Sequence, residues 1–304
     1  MKTSLDHLPE AKRQELERVL EVLFRAFDEA TRARTAPHRQ GRILKVVLFG
    51  SYARGDWVAD PIGGYTSDYD LLVVVSSDEL TDVTEYWMEA DRRLQQAYEV
   101  AHQLTAPAHF IVHSLADVNR QLSRGRPFFV DIVRDGVLLH QSDDAEFARP
   151  EKLSPAEAYA QALENFEEWF PSARRFLQYG RDGIERGWPK EAAFQLHQGV
   201  ERLYHCLLLT QTLYSSKSHN LNFLRSQAER VAPEIIPAWP RGSKFKRRTW
   251  ELLRRAYVEA RFSRSYAINA EELAWLADRA EDLRVRVERS CRAYLSLIWK
   301  GGQG

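Results

Sequence analysis

Cysteine is scarce in this chain of 304 residues, and long apolar runs are missing from it. The two cysteines, Cys206 and Cys291, lie far apart in apolar segments, with no cysteine or histidine partner at metal-ligand spacing. This excludes a disulfide framework and a cysteine-rich zinc site, and it predicts buried thiols in a reducing compartment. Crossing a bilayer takes roughly 18–20 apolar residues, so the sequence predicts a cytoplasmic protein with no membrane span.

An excess of either charge is also absent, because Lys+Arg and Asp+Glu each total 43. No overall positive field therefore attracts nucleic acid, and any such binding must come from a local cluster. Two interpretations of the densest basic cluster stay open, a solvated helix face and a phosphate-contacting patch. Its members are Lys244, Lys246, Arg247, Arg248, Arg254 and Arg255. The apolar content of 44% is enough for two domains with buried cores.

Residues 1–145 alternate between the helical and the strand period. Apolar residues at helical spacing in 5–35 predict an amphipathic helix, and residues 80–104 and 115–122 have a similar period. Short apolar runs predict four strands, at Ile43–Phe49, Tyr69–Val75, Ala108–His113 and Val137–Leu139. This order predicts an α+β domain built around a small mixed sheet.

Residues 152–300 contain long amphipathic stretches and no convincing strand. Ser154, Pro155 and Glu157 form a helix-start signal just after the composition changes. Helices are predicted near residues 155–180, 188–213, 218–231, 244–262 and 270–298. The second domain is therefore predicted to be an all-α bundle.

Gly50-Ser51 ends the first strand, and Ser67-Asp68-Tyr69-Asp70 opens the second. Side chains two positions apart on a strand share a face, so Asp68 and Asp70 stand side by side. A hard divalent ion such as Mg²⁺ relieves the repulsion between two such carboxylates. The glycine lets the backbone approach a phosphate, and the Ser51 hydroxyl and following amides can donate to its oxygens. Together these groups predict a site for a metal–nucleoside triphosphate.

This pattern resembles the DNA polymerase beta-like nucleotidyltransferases, in particular the small prokaryotic group known as minimal nucleotidyltransferases. The matching residues are Gly50-Ser51, Arg54-Gly55 and Ser67-Asp68-Tyr69-Asp70-Leu71. The resemblance implies that Asp68 and Asp70 are the catalytic metal ligands. It also implies that Gly50, Ser51, Arg54 and Ser67 bind the nucleotide, with ATP as the first candidate among nucleoside triphosphates.

Two features depart from that family. Transfer-competent members carry a third carboxylate on a later strand, where this sequence has His109 and His113, and Asp131 is a possible substitute. The connection from Asp56 to Thr66 is also longer than in the shortest members, so it either covers a bound base or decorates the surface. Without a third acid, the site would bind nucleotide and transfer it slowly or not at all.

The second half resembles the HEPN superfamily of helical domains, which are often fused to such transferases. Active HEPN ribonucleases place a histidine four to six residues after an arginine. Here Tyr266 follows Arg261 at that distance, and a phenol with a pKa of about 10 is a poor base at neutral pH. His197, Glu201 and His205 share a helix face, which fits either a packed polar seam or a nucleotide-contacting cluster. His219 is predicted to cap and pack a helix start.

The expected protein is therefore a Mg²⁺-dependent nucleotidyltransferase fused to a regulatory or acceptor HEPN domain, as in toxin–antitoxin pairs. The acceptor is expected to be the protein itself, an RNA or a small molecule, and the helical domain is expected to form a homodimer. Three alternatives stay open: an inactive nucleotide sensor, an aminoglycoside nucleotidyltransferase and a HEPN ribonuclease toxin.

Overall fold

The computed structural model describes residues 1–32, 41–60, 65–142, 146–216 and 218–301. The chain divides into two compact units, Met1–Lys152 and Leu153–Gly304. Part of the connection between Asp56 and Thr66 lies outside the described residues, so its predicted role stays a prediction. None of the helices in the described part of the chain combines the length and apolar character needed to cross a bilayer.

The first unit is an α+β fold with a small mixed sheet. Its elements are α1 (Glu10–Arg32), β1 (Ile43–Phe49), α2 (Ser51–Arg54), β2 (Ala59–Asp60), β3 (Tyr65–Thr66), β4 (Tyr69–Val75), α3 (Met88–Glu99), β5 (Ala108–Ser114), α4 (Leu115–Ser123), α5 (Pro127–Asp135) and β6 (Val137–Gln141). The four-stranded sheet has the order β5-β4-β1-β6, and β2 pairs with β3 separately. β1 is antiparallel to β4 and β6, whereas β4 and β5 are parallel.

β1 and β4 are buried along their whole length, which explains why both are nearly continuous apolar runs. Alternate side chains of β4, such as Leu71 and Val73, share a core with Leu16, Val19 and Leu23 of α1. Because side chains alternate across a strand, Asp70 points to the other face of the sheet.

The helix predicted over residues 80–104 is instead interrupted. A 3₁₀ turn covers Asp78–Thr81, a π-helical turn covers Val83–Trp87, and the α-helix α3 begins only at Met88. The Asp82 side chain accepts a hydrogen bond from the Glu85 amide and starts a new helix there. The buried Trp87 indole donates to the Leu80 carbonyl at 2.7 Å, so both polar groups are satisfied across the interruption.

The second unit is all-α. Its helices are α6 (Pro155–Glu185), α7 (Pro189–Thr212), α8 (Leu221–Val231), α9 (Lys244–Phe262) and α10 (Ala270–Gly301), with a 3₁₀ segment at Pro233–Ala238. α6 begins as predicted, because Ser154 and Glu157 form a reciprocal capping box. The five helices predicted from periodicity are confirmed to within about three residues at each end, except that α6 continues beyond residue 180 to Glu185.

Glycines let α6 and α7 approach closely. A Cβ on Gly199 would lie 2.4 Å from a Leu177 methyl, and one on Gly183 would lie 3.2 Å from the Ala192 Cα. These distances are tighter than normal packing allows. The close contact between α6 and α7 therefore depends on the absence of a side chain at these glycines.

Cys206 and Cys291 are both fully buried in the helical core. They are neighbours there, because Cys291 forms a hydrogen bond with Cys206 that raises the pKa of the Cys206 thiol, and burial raises it further. The prediction of buried thiols is confirmed.

Candidate functional site

The turn after β1 has a backbone conformation that only glycine adopts readily. Gly50 has φ 78° and ψ −152°, and Gly55 ends the single-turn helix α2 in the left-handed region at φ 92°. Two side chains from the start of the chain hold the carbonyls of α2. Lys2 Nζ donates to the Ala53 carbonyl at 3.1 Å, and His7 Nε2 lies 2.7 Å from the Tyr52 carbonyl. The turn is therefore fixed, with Ser51 at its partly exposed start.

The two predicted carboxylates lie directly beside this turn. Phe49, the last residue of β1, pairs with Asp70, and Asp70 pairs with His109 on β5. Asp70 is completely buried and Asp68 is 8% exposed. The antiparallel register thus brings Gly50-Ser51 and the Asp68/Asp70 pair to the same end of the sheet.

Only one of the two histidines on β5 lies against this pair. His109 Nε2 is 3.7 Å from Asp68 Oδ2. His113 instead contacts Asp117 Oδ2 on α4 through Nδ1 at 2.7 Å, and its ring packs edge-on against Phe129. The hydrogen bond from His113 holds the pKa of Asp117 well below its usual range. His113 is therefore a packing residue, and His109 occupies the position next to the carboxylates.

Two further acids lie near parts of this site. Asp91 on α3 is close enough to His109 for the two side chains to interact electrostatically. Desolvation by the surrounding protein raises the pKa of Asp91, and the charge of His109 acts in the opposite direction. Asp131 on α5 is exposed and forms an ion pair with Arg134 at 2.9 Å. Desolvation raises the pKa of Asp131, and the positive charges of Arg134 and Arg54 act in the opposite direction. Asp91 was not predicted from the sequence, because a charged residue on an amphipathic helix carries no signal of its own.

Ser67 and Arg54 have protein partners that differ from their predicted nucleotide role. The buried Ser67 hydroxyl accepts a hydrogen bond from the Val58 amide at 2.9 Å, and the Ser67 amide donates to the Val58 carbonyl. Arg54 Nε donates to Asp56 Oδ2 at 3.0 Å. Ser67 therefore ties the end of the connection between the two motifs to Val58, and Arg54 is exposed and paired with Asp56.

A buried network behind β4 fixes the strand that carries the carboxylates. Glu15 of α1 accepts hydrogen bonds from the Tyr69 hydroxyl at 3.0 Å and from the Thr105 amide and hydroxyl at 2.9 and 2.7 Å. Lys12 lies over the rings of Tyr52 and Tyr69, 5.5 Å from each centroid. One glutamate thus joins the start of β4 to the loop that leads into β5.

The donor set suits a hard cation that keeps part of its hydration. Within the described ranges, no three His, Cys, Asp or Glu side chains are grouped closely enough to hold a metal ion by themselves. Mg²⁺ is commonly held by one or two carboxylates together with waters and substrate phosphates. The oxygen pair of Asp68 and Asp70, next to the Gly50 turn, has the ligand chemistry that such an ion takes.

In the helical unit, Tyr266 belongs to the core. It is 3% exposed, and its hydroxyl donates to the Leu252 carbonyl at 2.9 Å, while burial raises its pKa. Arg261 lies at the exposed end of α9, with its guanidinium 4.7 Å from the Tyr257 ring centroid. The structure therefore gives Arg261 an open position and Tyr266 a structural one.

A cluster forms around Glu201 of α7. His219 Nδ1 lies 3.0 Å from Glu201 Oε1, and His197 Nδ1 lies 3.7 Å from Oε2. The His219 ring stacks on Tyr257 with 4.7 Å between centroids. Within the described residues, Glu201 Oε2 and His197 Nε2 are buried without a hydrogen-bond partner, a feature that often marks functional sites.

The predicted grouping of histidines was partly wrong. His205 turns away from Glu201 to the Ser215 hydroxyl at 2.6 Å. The cap of α8 is Asn220, whose side chain accepts from the Asn222 and Phe223 amides, so His219 is not the capping residue. Burial lowers the pKa of His197 to about 3 and that of His205 to about 4, and it raises the pKa of Glu201.

Comparison with known families gives two matches. A nucleotidyltransferase-domain model matches residues 33–133, and a HEPN-domain model matches residues 166–290. No curated protein matches the chain. The first match contains the Gly50 turn and the Asp68/Asp70 pair, and the second contains Glu201, His219 and Arg261.

Proposed function

Because the chain joins a nucleotidyltransferase domain to a HEPN domain, we propose that it transfers a nucleoside monophosphate from a nucleoside triphosphate, with ATP as the first candidate. The carrying observation is that the Gly50-Ser51 turn and the Asp68/Asp70 pair meet at one end of the sheet. The acceptor we propose is a hydroxyl group of the protein itself, of a second copy or of an RNA.

In this proposal Asp68 and Asp70 hold Mg²⁺, which neutralises charge on the triphosphate and on the pentavalent transition state. The α2 amides and the Ser51 hydroxyl donate to phosphate oxygens at the Gly50 turn. The acceptor oxygen bonds to the α-phosphorus, the bond to the bridging oxygen breaks, and pyrophosphate leaves with its electron pair. The acceptor proton passes to a carboxylate of the pair.

The test is incubation of the full chain with Mg²⁺ and each nucleoside triphosphate labelled at the α-phosphate, alone and with RNA or an aminoglycoside. Label on the protein supports self-modification, label on RNA supports an RNA acceptor, and label on the drug supports a resistance enzyme. ATP binding without any transfer would support a sensor instead. Equal ATP and Mg²⁺ binding by an Asp68→Ala, Asp70→Ala variant would contradict the metal role itself.

A second candidate function belongs to the helical unit, where His219, paired with Glu201, and Arg261 both contact the ring of Tyr257. We propose that His219, oriented by Glu201, supplies the imidazole that Tyr266 cannot, and that Arg261 binds a phosphate of RNA. This arrangement supports cleavage of RNA by acid–base catalysis. The matched pair His219→Gln and His205→Gln tests it, because loss of RNA cleavage in only the first supports the role.

Mg²⁺ dependence, a toxin–antitoxin role, a cytoplasmic location and a homodimer through the helical domain are also parts of the proposal. Light scattering of the purified chain measures the oligomeric state, and growth assays with each half expressed alone test for a toxin.

A further inference from the structure

A charged cleft runs along the seam between α6 and α10 of the helical unit. Its volume is about 560 Å³, which lies within the range of small-molecule sites. Its apolar lining is formed by Pro171 and the buried side chain of Leu177. The polar lining residues are Arg174, Arg175, Gln178, Arg181, Glu281, Arg284 and Glu288.

Positive charge prevails in this lining, although the whole chain is neutral. Four guanidinium groups face two carboxylates, which leaves a local excess of two positive charges (four minus two). Glu281 bonds Arg181 at 2.9 Å and Arg284 at 2.7 Å, which holds these two guanidinium groups in place. Arg174 and Arg175 are exposed, and no ion pair is found for them in the part of the chain that the structure describes.

The basic cluster on α9 differs from the cleft in how many of its arginines have an ion-pair partner. Three of its four arginines have an acidic partner: Arg248 pairs with Glu272 and Arg255 pairs with Glu259. Arg254 pairs with Glu251 in the same way. The arginines of the α6–α10 cleft, by contrast, come from two helices that lie far apart in the chain.

We propose that the α6–α10 cleft binds a small ligand with two or more linked phosphate groups, recognised through those phosphates. Arginine binds phosphate oxygens with two parallel hydrogen bonds. Residues 174–181 extend about 10 Å along a helix, so the cations are spread over more than one phosphate. None of the described lining residues is aromatic, and single-stranded nucleic acid usually requires aromatic rings for its bases.

Calorimetric titration of the full chain with tripolyphosphate in EDTA tests this site, because chelation removes Mg²⁺ from the proposed Asp68/Asp70 site. We expect one saturable site, weakened about tenfold or more in Arg174→Gln, Arg175→Gln. Glu281→Gln releases Arg181, leaves Arg284 paired with Glu288 alone and raises the local charge, so it is expected to tighten binding about threefold. The exposed Arg289 on α10 gives the matched control, Arg289→Gln, which is expected to bind as the unaltered chain does.

Unchanged binding in the Arg174, Arg175 variant would overturn the proposal, as would the absence of saturable binding at millimolar concentrations. A competing oligouridine that binds more tightly than tripolyphosphate and is lost in the same variant would also overturn it, in favour of a nucleic-acid track. All substituted arginines are exposed or partly exposed, and circular dichroism of each variant checks that the helical unit is folded.

Discussion

Asp70 is completely buried, and its neighbour Asp68 is nearly so. Two carboxylates at such a position cost free energy unless a cation compensates them. This cost explains why a strand that is otherwise apolar carries them only at its beginning, beside the Gly50 turn. Because of this cost, a substitution of one carboxylate is expected to affect catalysis and stability in opposite directions.

Replacing Asp70 with asparagine is expected to lower the rate of nucleotidyl transfer by about a thousandfold or more, because the metal loses a charged ligand. The melting temperature is expected to hold or rise, since the variant no longer buries that charge. Transfer assays and calorimetry check the two effects. Asp28→Asn, at an exposed site on α1, is the control. Transfer that persists in Asp70→Asn would count against the metal role.

His109→Asp is expected to increase transfer or Mg²⁺ affinity. His109 pairs with Asp70 across the parallel strands and lies 3.7 Å from Asp68, so an acid there would supply the third carboxylate that the family resemblance implies. Metal titration of the variant, with His113→Asp as the matched comparison, measures the change. The same gain from His113→Asp would contradict the assignment, because His113 is bound to Asp117 on α4.

The local part of the site was predictable at residue level, and the distant part was not. Alternation along one strand is enough to place Asp68 beside Asp70, and a glycine after a strand indicates the phosphate turn. Asp91 and the Glu201–His219 pair depend on packing between elements. No spacing rule connects Glu201 on α7 with His219 in the loop before α8, where helix packing brings them to 3.0 Å.

At the scale of elements, α2 is a single turn whose direction is set by Gly50. Alanine at position 50 would have to adopt φ 78° and ψ −152°, a region that residues with a side chain avoid. Gly50→Ala is expected to cost about 1–3 kcal/mol of stability and to weaken nucleotide binding. Urea unfolding and nucleotide titration measure the two losses. Full nucleotide affinity in this variant would show that the turn does not hold the phosphates.

A second prediction at this scale concerns the close contact between α6 and α7. Gly199→Val is expected to destabilise the helical unit by about 1–3 kcal/mol, because its Cβ would meet Leu177 at 2.4 Å. Gly242→Ala, where an added Cβ meets nothing within 4 Å, serves as the control. Urea unfolding followed by circular dichroism compares them, and equal midpoints would contradict the close packing.

Helices and strands with a regular spacing of apolar residues were predictable, since burial of one face determines where those residues stand. β1, β4 and the helices of the second unit appear where their apolar spacing places them. The break in the helix around Trp87 was not predictable, because it depends on the Asp82 cap and on one hydrogen bond from the Trp87 indole to the Leu80 carbonyl. Both are single hydrogen bonds, which leave the hydrophobic period almost unchanged.

For the whole molecule, pH acts through buried histidines of the helical unit. The folded-state pKa values of His197 and His205, about 3 and about 4, lie below the unfolded value of about 6.5. Below pH 6.5 the unfolded chain therefore binds more protons than the folded chain does. The free energy of unfolding decreases as the pH is lowered through this range. Glu201 acts oppositely, because its raised pKa favours the protonated folded state at low pH.

From pH 7.5 to pH 5 we expect each of the two histidines to remove about 2 kcal/mol of stability. His197→Gln is expected to reduce this dependence by about half. Urea unfolding at both pH values, followed by circular dichroism, measures it, with His102→Asn in the first unit as control. An unaltered pH dependence in His197→Gln would show that His197 is not a source of the effect.

The position of the two cysteines makes the chain convenient for site-specific spectroscopy. Buried thiols react slowly with alkylating probes, and Cys206 and Cys291 are fully buried. A cysteine introduced at an exposed position, for example on α9 or beside the Gly50 turn, would therefore be the one that a fluorophore or spin label modifies. Distances between such labels would report how the transferase and helical units are arranged in solution, without removing a native thiol.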